Sequence, residues 1–200
     1  LNQALRPETD GFCPHQVIDV VRRVVPGDGI LAFDVGAHTH QIASQWMAPA
    51  PKTCLITNGW SSMGFGLPAA IAAKLARPEA PVVCLIGDGC FQMTCGEVAT
   101  ARRLGLTLPV VVLDDRWLSL LKVKQARNQF RAYGTELQPD AEKAGTTEVS
   151  TTGNYFGAPA LSVETPDQLA ASLADALTAD GPTVIEARVD SGHYLETVFD

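Results

Sequence analysis

The stretch PVVCLIGDGCFQMTCGEVATARRLGLTLPVVVLDDRWLSLLKVKQ, Pro81–Gln125, decides how the rest of the chain reads. An apolar run, Val82 to Ile86, ends in Gly87-Asp88-Gly89. A helical stretch follows. A second apolar run, Pro109 to Leu113, ends in Asp114-Asp115 and leads into another helical stretch. Short apolar runs alternating with helices predict parallel strands joined by crossovers. Both acidic turns then lie at the carboxyl edge of the sheet, where open α/β sheets bind ligands. Glycines permit a sharp turn and close approach of the backbone. The following helix start favours an anion, and carboxylates are hard oxygen ligands of the kind magnesium takes alongside phosphate and water. Singly, each turn fits a structural role better than a functional one; the pair in adjacent units brings the two readings level. Paired in adjacent units, Asp88 and Asp115 form a candidate metal and phosphate site.

Outward from this stretch the pattern persists. Pro14 to Val25 reads as an amphipathic helix with proline in its first turn. Strands are predicted over Ile30–Val35, Cys54–Thr57, Ala160–Val163 and Thr183–Val189. Helices are predicted over Thr39–Trp46 and Ser61–Ala76. Another should run from a Thr165 cap and Pro166 to about Ala179. The helix after Gly89 is read as one element containing Glu97. Gly64 and Gly66 fit either a closely packed helix start or a backbone that must approach a ligand. Ala126 to Gly157 is polar and glycine-rich and reads as a long loop. Asp190–Asp200 reads as a tail. The fold class is therefore α/β: one doubly wound domain over 1–200, with about six mainly parallel strands and helices on both faces.

Composition narrows the function. Fifteen Lys and Arg stand against 22 Asp and Glu. With no basic stripe among aromatics, no nucleic-acid partner is expected. No run approaches the length of a membrane span, and the opening residues, LNQALRPETDGFC, lack the basic-then-apolar pattern of a signal peptide. The five cysteines form no CxxC pair. They read as small core residues in a reducing compartment, so the expected location is cytoplasmic. Cys54 and Cys84 fall in strands expected to be buried. His38-Thr39-His40 has no partner cluster to make a metal site. The chain begins at Leu1 rather than methionine, and a piece of a longer protein is expected.

Gly87-Asp88-Gly89 followed by an acidic pair one unit later resembles the metal-binding motif of thiamine-diphosphate enzymes, which usually read Gly-Asp-Gly and then Asn-Asn. MGFGLPAAIAAKLA (Met63–Ala76), GDGCFQMTCGEVATA (Gly87–Ala101) and DVGAHTHQIASQW (Asp34–Trp46) resemble the C-terminal cofactor-binding domain of acetolactate-synthase-like enzymes. The resemblance covers about Pro14 to Val189. It implies thiamine diphosphate and magnesium as cofactors. Asp88, Asp115 and the Trp117 carbonyl would be the metal ligands. Gly36, His38, Gly87, Gly89 and Cys90 would lie near the diphosphate, with Ser61 beside them. Met63 would prop the bent cofactor, and Leu118 to Leu120 would close over it.

The implied chemistry is decarboxylation of a 2-keto acid such as pyruvate and transfer to an acceptor. The glutamate that activates the cofactor in this family lies on a separate domain of a neighbouring subunit. The isolated chain is therefore expected to be inactive, to carry no catalytic residue of its own, and to work as part of a homo-oligomer, a dimer or tetramer. Four positions depart from the family pattern. Asp115 replaces asparagine, Ser61 a frequent glycine, Ala37 a usual glutamine, and Lys124 a tryptophan that helps select the second keto acid. Ala37 and Lys124 favour a relative with a different keto acid or acceptor. Asp115, Ser61 and Lys124 also suit a non-catalytic partner or regulatory domain of the same ancestry. A phosphoacceptor receiver would want a lysine at the end of a later strand, and none stands there.

Overall fold

The computed structural model describes residues 11–137 and 152–198. The elements in chain order are α1 (Pro14–Val24), β1 (Ile30–Phe33), α2 (Ala37–Gln45), β2 (Cys54–Leu55), α3 (Gly66–Ala76), β3 (Val82–Gly87), α4 (Asp88–Thr94) and α5 (Glu97–Arg103). They continue with β4 (Leu108–Asp114), α6 (Ser119–Arg127), β5 (Thr152–Tyr155), β6 (Ala158–Val163), α7 (Pro166–Ala176), β7 (Pro182–Arg188) and α8 (Tyr194–Thr197). One sheet of seven strands runs β2-β1-β3-β4-β7-β6-β5. Every pairing is parallel except β5 with β6. The expected α/β class holds, with one strand more than expected.

The central strands read as unbroken apolar runs because both faces are covered. In β3, Val83 and Leu85 face the layer of α1, α2 and α7, where Val17, Ile18, Ile42, Leu169 and Leu173 are fully buried. Val82, Cys84 and Ile86 face the layer of α3, α4 and α5, with Leu67, Ile71, Phe91 and Val98. Each large side chain so buried contributes about 1.5–3 kcal/mol. Cys84 is buried as expected, whereas Cys54 on the short edge strand β2 is only half-buried; all five cysteines are free. No helix among the described residues is long and apolar enough to cross a membrane.

Several boundaries differ from the sequence reading, each for a local reason. The helix expected from Ser61 begins at Gly66. Ser61 and Gly64 have φ of 53° and 87°, left-handed values that a right-handed helix cannot contain. The helix after Gly89 divides at Cys95-Gly96, so Glu97 opens α5 and is exposed. The first strand stops at Phe33, because Asp34 to Gly36 turn toward α2. Within the expected long loop lies β5, joined to β6 by Phe156-Gly157. Both turn residues have positive φ, 52° and 82°. This is the requirement of the two-residue hairpin turn whose twist matches the flanking strands. The remainder of that loop, 138–151, lies outside the described residues. At α7 the expected cap is present, with the Gln168 amide donating to Thr165 Oγ1 at 3.3 Å, and the helix ends at Ala176. The tail is not a bare strand end either. It folds into α8, with Tyr194, Thr197 and Val198 buried.

Candidate functional site

The register of the sheet places three loops side by side. Phe33 pairs with Leu85, and Gly87 with Leu113. The loops after β1, β3 and β4 therefore leave the same edge next to one another. All twelve residues singled out from the sequence line one cleft there, of about 230 Å³.

Asp88 opens α4 and is 7% exposed. Its Oδ1 accepts from the Gly89 amide at 2.7 Å, and its Oδ2 from the Arg116 amide at 2.8 Å. Arg116 reaches it through a left-handed turn, φ 65°. Asp115 is held by the start of α6: Oδ1 accepts from the Trp117 amide at 2.9 Å and Oδ2 from the Ser119 hydroxyl at 2.5 Å. Burial pushes the Asp88 carboxyl up to about 8, and the nearby Asp115 charge adds to this against the amide bonds. Burial pushes Asp115 up to about 6, against its bonds from Ser119 and Trp117. Two acids that resist ionisation side by side are what a divalent cation would relieve. Trp117 pairs with Glu136 in a single antiparallel bridge, bonded through Leu118 N to Thr135 O and Leu137 N to Arg116 O. That pattern turns the N–H and C=O of Trp117 away from Glu136. The N–H goes to Asp115, and the carbonyl accepts no hydrogen bond among the described residues.

The glycines let neighbouring side chains approach closely. A Cβ on Gly36 would lie 2.7 Å from the His38 ring, and one on Gly87 3.0 Å from it. On Gly89 it would meet Leu118 Cδ2 at 2.6 Å, with Met63 Cε at 3.6 Å. Met63 and Leu118 thus close over the Gly-Asp-Gly turn, and Leu120 lines the same wall. His38 is buried; desolvation outweighs the pull of Asp34 and lowers its pKa to about 4, so the ring is neutral at pH 7. Its Nε2 is sealed from water without a partner among the described residues. Cys90 Sγ donates to the Val35 carbonyl at 3.0 Å, tying the β3 loop to the β1 loop. The carboxylate pair, the unpartnered imidazole nitrogen and the glycine cradle fit a magnesium-bound diphosphate.

Ser61 stands at the mouth in a conformation that favours glycine. Ser61→Gly should therefore relieve about 1 kcal/mol of strain and raise the melting midpoint by about 2–4 °C, measured by calorimetry. Of the other departures, Ala37 is buried in the cleft wall and Lys124 is exposed on α6.

Sequence reading missed two residues that shape the site. Asp34 is fully buried. It accepts from the amides of Val35 at 2.8 Å, Gly64 at 3.1 Å and Gly66 at 2.7 Å. A Cβ on Gly66 would sit 3.1 Å from Asp34 Cβ. Gly64 and Gly66 therefore serve the turn and its packing on Asp34. The visible signal was an acid at a strand end two residues before a glycine, a looser form of the Gly87-Asp88-Gly89 turn. The second is Tyr194, from the tail, which forms part of the cleft wall.

Comparison with known proteins identifies the family. The family model "Thiamine pyrophosphate enzyme, C-terminal TPP binding domain" matches residues 34–187. The chain is 30% identical to the acetolactate synthase large subunit of Haemophilus influenzae, over 91% of this chain and 31% of that protein. It is 31% identical to the acetolactate synthase isozyme 2 large subunit of Escherichia coli, over 87% of this chain and 30% of that protein. A solved structure, the Rhodococcus jostii RHA1 thiamine diphosphate-dependent 4-hydroxybenzoylformate decarboxylase, shares the fold. Its TM-score is 0.78 at 24% identity, covering 92% of this chain and 34% of that one. The chain thus spans about a third of the length of the relatives it matches. Because the family match runs unbroken from the loop after β1 to the end of the last strand, the chain belongs to the thiamine pyrophosphate enzymes and carries their C-terminal TPP-binding domain.

Proposed function

We propose that the chain holds the diphosphate of thiamine diphosphate through magnesium, as part of a 2-keto acid decarboxylase or carboligase resembling acetolactate synthase. The observation that carries this is the convergence of Asp88, buried, and Asp115, half-buried, at adjacent strand ends in one cleft. Asp88, Asp115 and the Trp117 carbonyl would hold the metal. Gly36, His38, Gly89 and Cys90 would border the diphosphate, with neutral His38 offering a ring nitrogen rather than a charge. Met63 and Leu118 would keep water from the turn. Thiamine diphosphate, when bound, supplies an acidic thiazolium carbon that adds to the 2-keto acid. This chain's own residues bind, orient and desolvate.

Two features support a partner domain over the mouth. Trp60, next to Ser61, is 90% exposed, and Leu121 in the cleft wall is 50% exposed. Apolar surface at the rim of a polar cleft suits an interface. A second copy of the full-length protein, as a dimer or tetramer, would supply the activating glutamate there. The test is titration of the full-length protein with thiamine diphosphate, with and without magnesium, followed by an assay of pyruvate consumption. Magnesium-dependent binding with turnover is expected. Binding without turnover would favour a different keto acid or a non-catalytic role, and absence of magnesium-dependent binding would overturn the proposal.

A further inference from the structure

The tail places a phenol where the acids converge. Tyr194 begins α8 and is 2% exposed. Its ring packs with Ala37 of α2 and with Leu120 and Val123 of α6. Tyr194 thus packs the tail against both helices that border the cleft on this side. Arg127, at the end of α6, fixes the tail from the other side. Its Nη2 donates to the carbonyls of Leu195 at 3.0 Å and Val198 at 2.6 Å.

The tyrosine hydroxyl has no protein partner among the described residues. It is also absent from the polar atoms sealed away from water, and the residue lines the cleft. A buried phenol normally finds a partner, because an unmade hydrogen bond costs free energy. The cleft it lines also holds both acids; burial, and after it the charges of Asp115 and Asp88, hold the phenol protonated. A protonated phenol lining the same cleft as the two carboxylates is a donor available to an anion bound there.

We propose that Tyr194 is a further ligand-binding residue of this cleft, its hydroxyl donating a hydrogen bond to the diphosphate held at Asp88 and Asp115; this rests on the function proposed above. Arg127 is the positioning residue, acting through the tail carbonyls rather than on the ligand.

Tyr194→Phe in the full-length protein tests this. Phenylalanine keeps the ring packed on Ala37, Leu120 and Val123 and removes only the hydroxyl. Loss of a hydrogen bond to a charged group should weaken thiamine diphosphate binding about 10- to 100-fold at saturating magnesium. Magnesium pyrophosphate, used as competitor, should lose affinity by a similar factor. The melting midpoint of the unliganded protein should stay within about 2 °C of wild type. Unchanged affinity for thiamine diphosphate would overturn the assignment. So would a loss confined to thiamine diphosphate with pyrophosphate unaffected, because the hydroxyl would then serve another part of the ligand. If the wild-type protein itself binds no thiamine diphosphate, the proposed function fails and the role of Tyr194 falls with it; a defect confined to the variant concerns Tyr194 alone.

Discussion

Replacing Asp88 by alanine is expected to abolish magnesium-dependent binding of thiamine diphosphate, a loss of at least about a hundredfold measured by titration calorimetry. Asp88→Asn should do the same to binding while making the ligand-free protein more stable. The sign follows from the proton. In the fold the carboxyl titrates near 8 against a reference of 3.8, because burial and Asp115 disfavour the charge. Between those values the folded protein holds a proton that the unfolded chain has released. Stability from this group is therefore full below about pH 4 and is lost as pH rises to about 8. Asparagine has no proton to lose. The variant should gain on the wild type in chemical denaturation as pH is raised from 4 to 8 without magnesium. Adding magnesium and thiamine diphosphate should reverse the order, since only the wild type gains stability from binding. If asparagine retained magnesium-dependent binding, Asp88 would not be a metal ligand.

Asp34→Ala should be the most damaging single change to the fold near the cleft, with no direct role in binding required. Three amides, those of Val35, Gly64 and Gly66, donate to this one fully buried carboxylate. Each buried donor left without an acceptor costs about 1–3 kcal/mol. The left-handed turn at Gly64 and the start of α3 also lose the anchor that fixes their place. A destabilisation of about 3–5 kcal/mol is expected, read as a lower urea midpoint. Asp34→Asn keeps one acceptor oxygen and should fall between the alanine variant and the wild type. A cost below about 1 kcal/mol for alanine would mean that the loop amides find water instead.

The contrast between these two aspartates shows how far the residues could be read in advance. Asp88 announced itself because glycines flank it and a second acid closes the next strand. These are local patterns with a chemical reason. Asp34 has a similar local pattern, but its partners lie about 30 residues away in a turn whose left-handed shape no local signal displayed. The parallel core was legible because buried strands are unbroken apolar runs. β5 was not, because an edge strand of Thr152, Gly153, Asn154 and Tyr155 has no apolar run, and its turn is built from Phe156-Gly157 rather than a common hairpin pair. Ser61 was noted as a departure from glycine, and its φ supplies the reason glycine suits that place. Tyr194 was invisible because its position depends on the tail folding back across α2 and α6.

That last arrangement bears on the order in which the molecule is made. The two acids, the glycine turns and the imidazole all lie between β1 and α6, so they leave the ribosome together. The wall that Tyr194 supplies lies after β7, the strand that must first settle beside β4. Synthesis proceeds from the amino end, and domains fold as their chain emerges. The nascent protein would therefore hold an open half-cleft until α8 has been made. Loading of the ligand then waits for α8 rather than for the two acids alone.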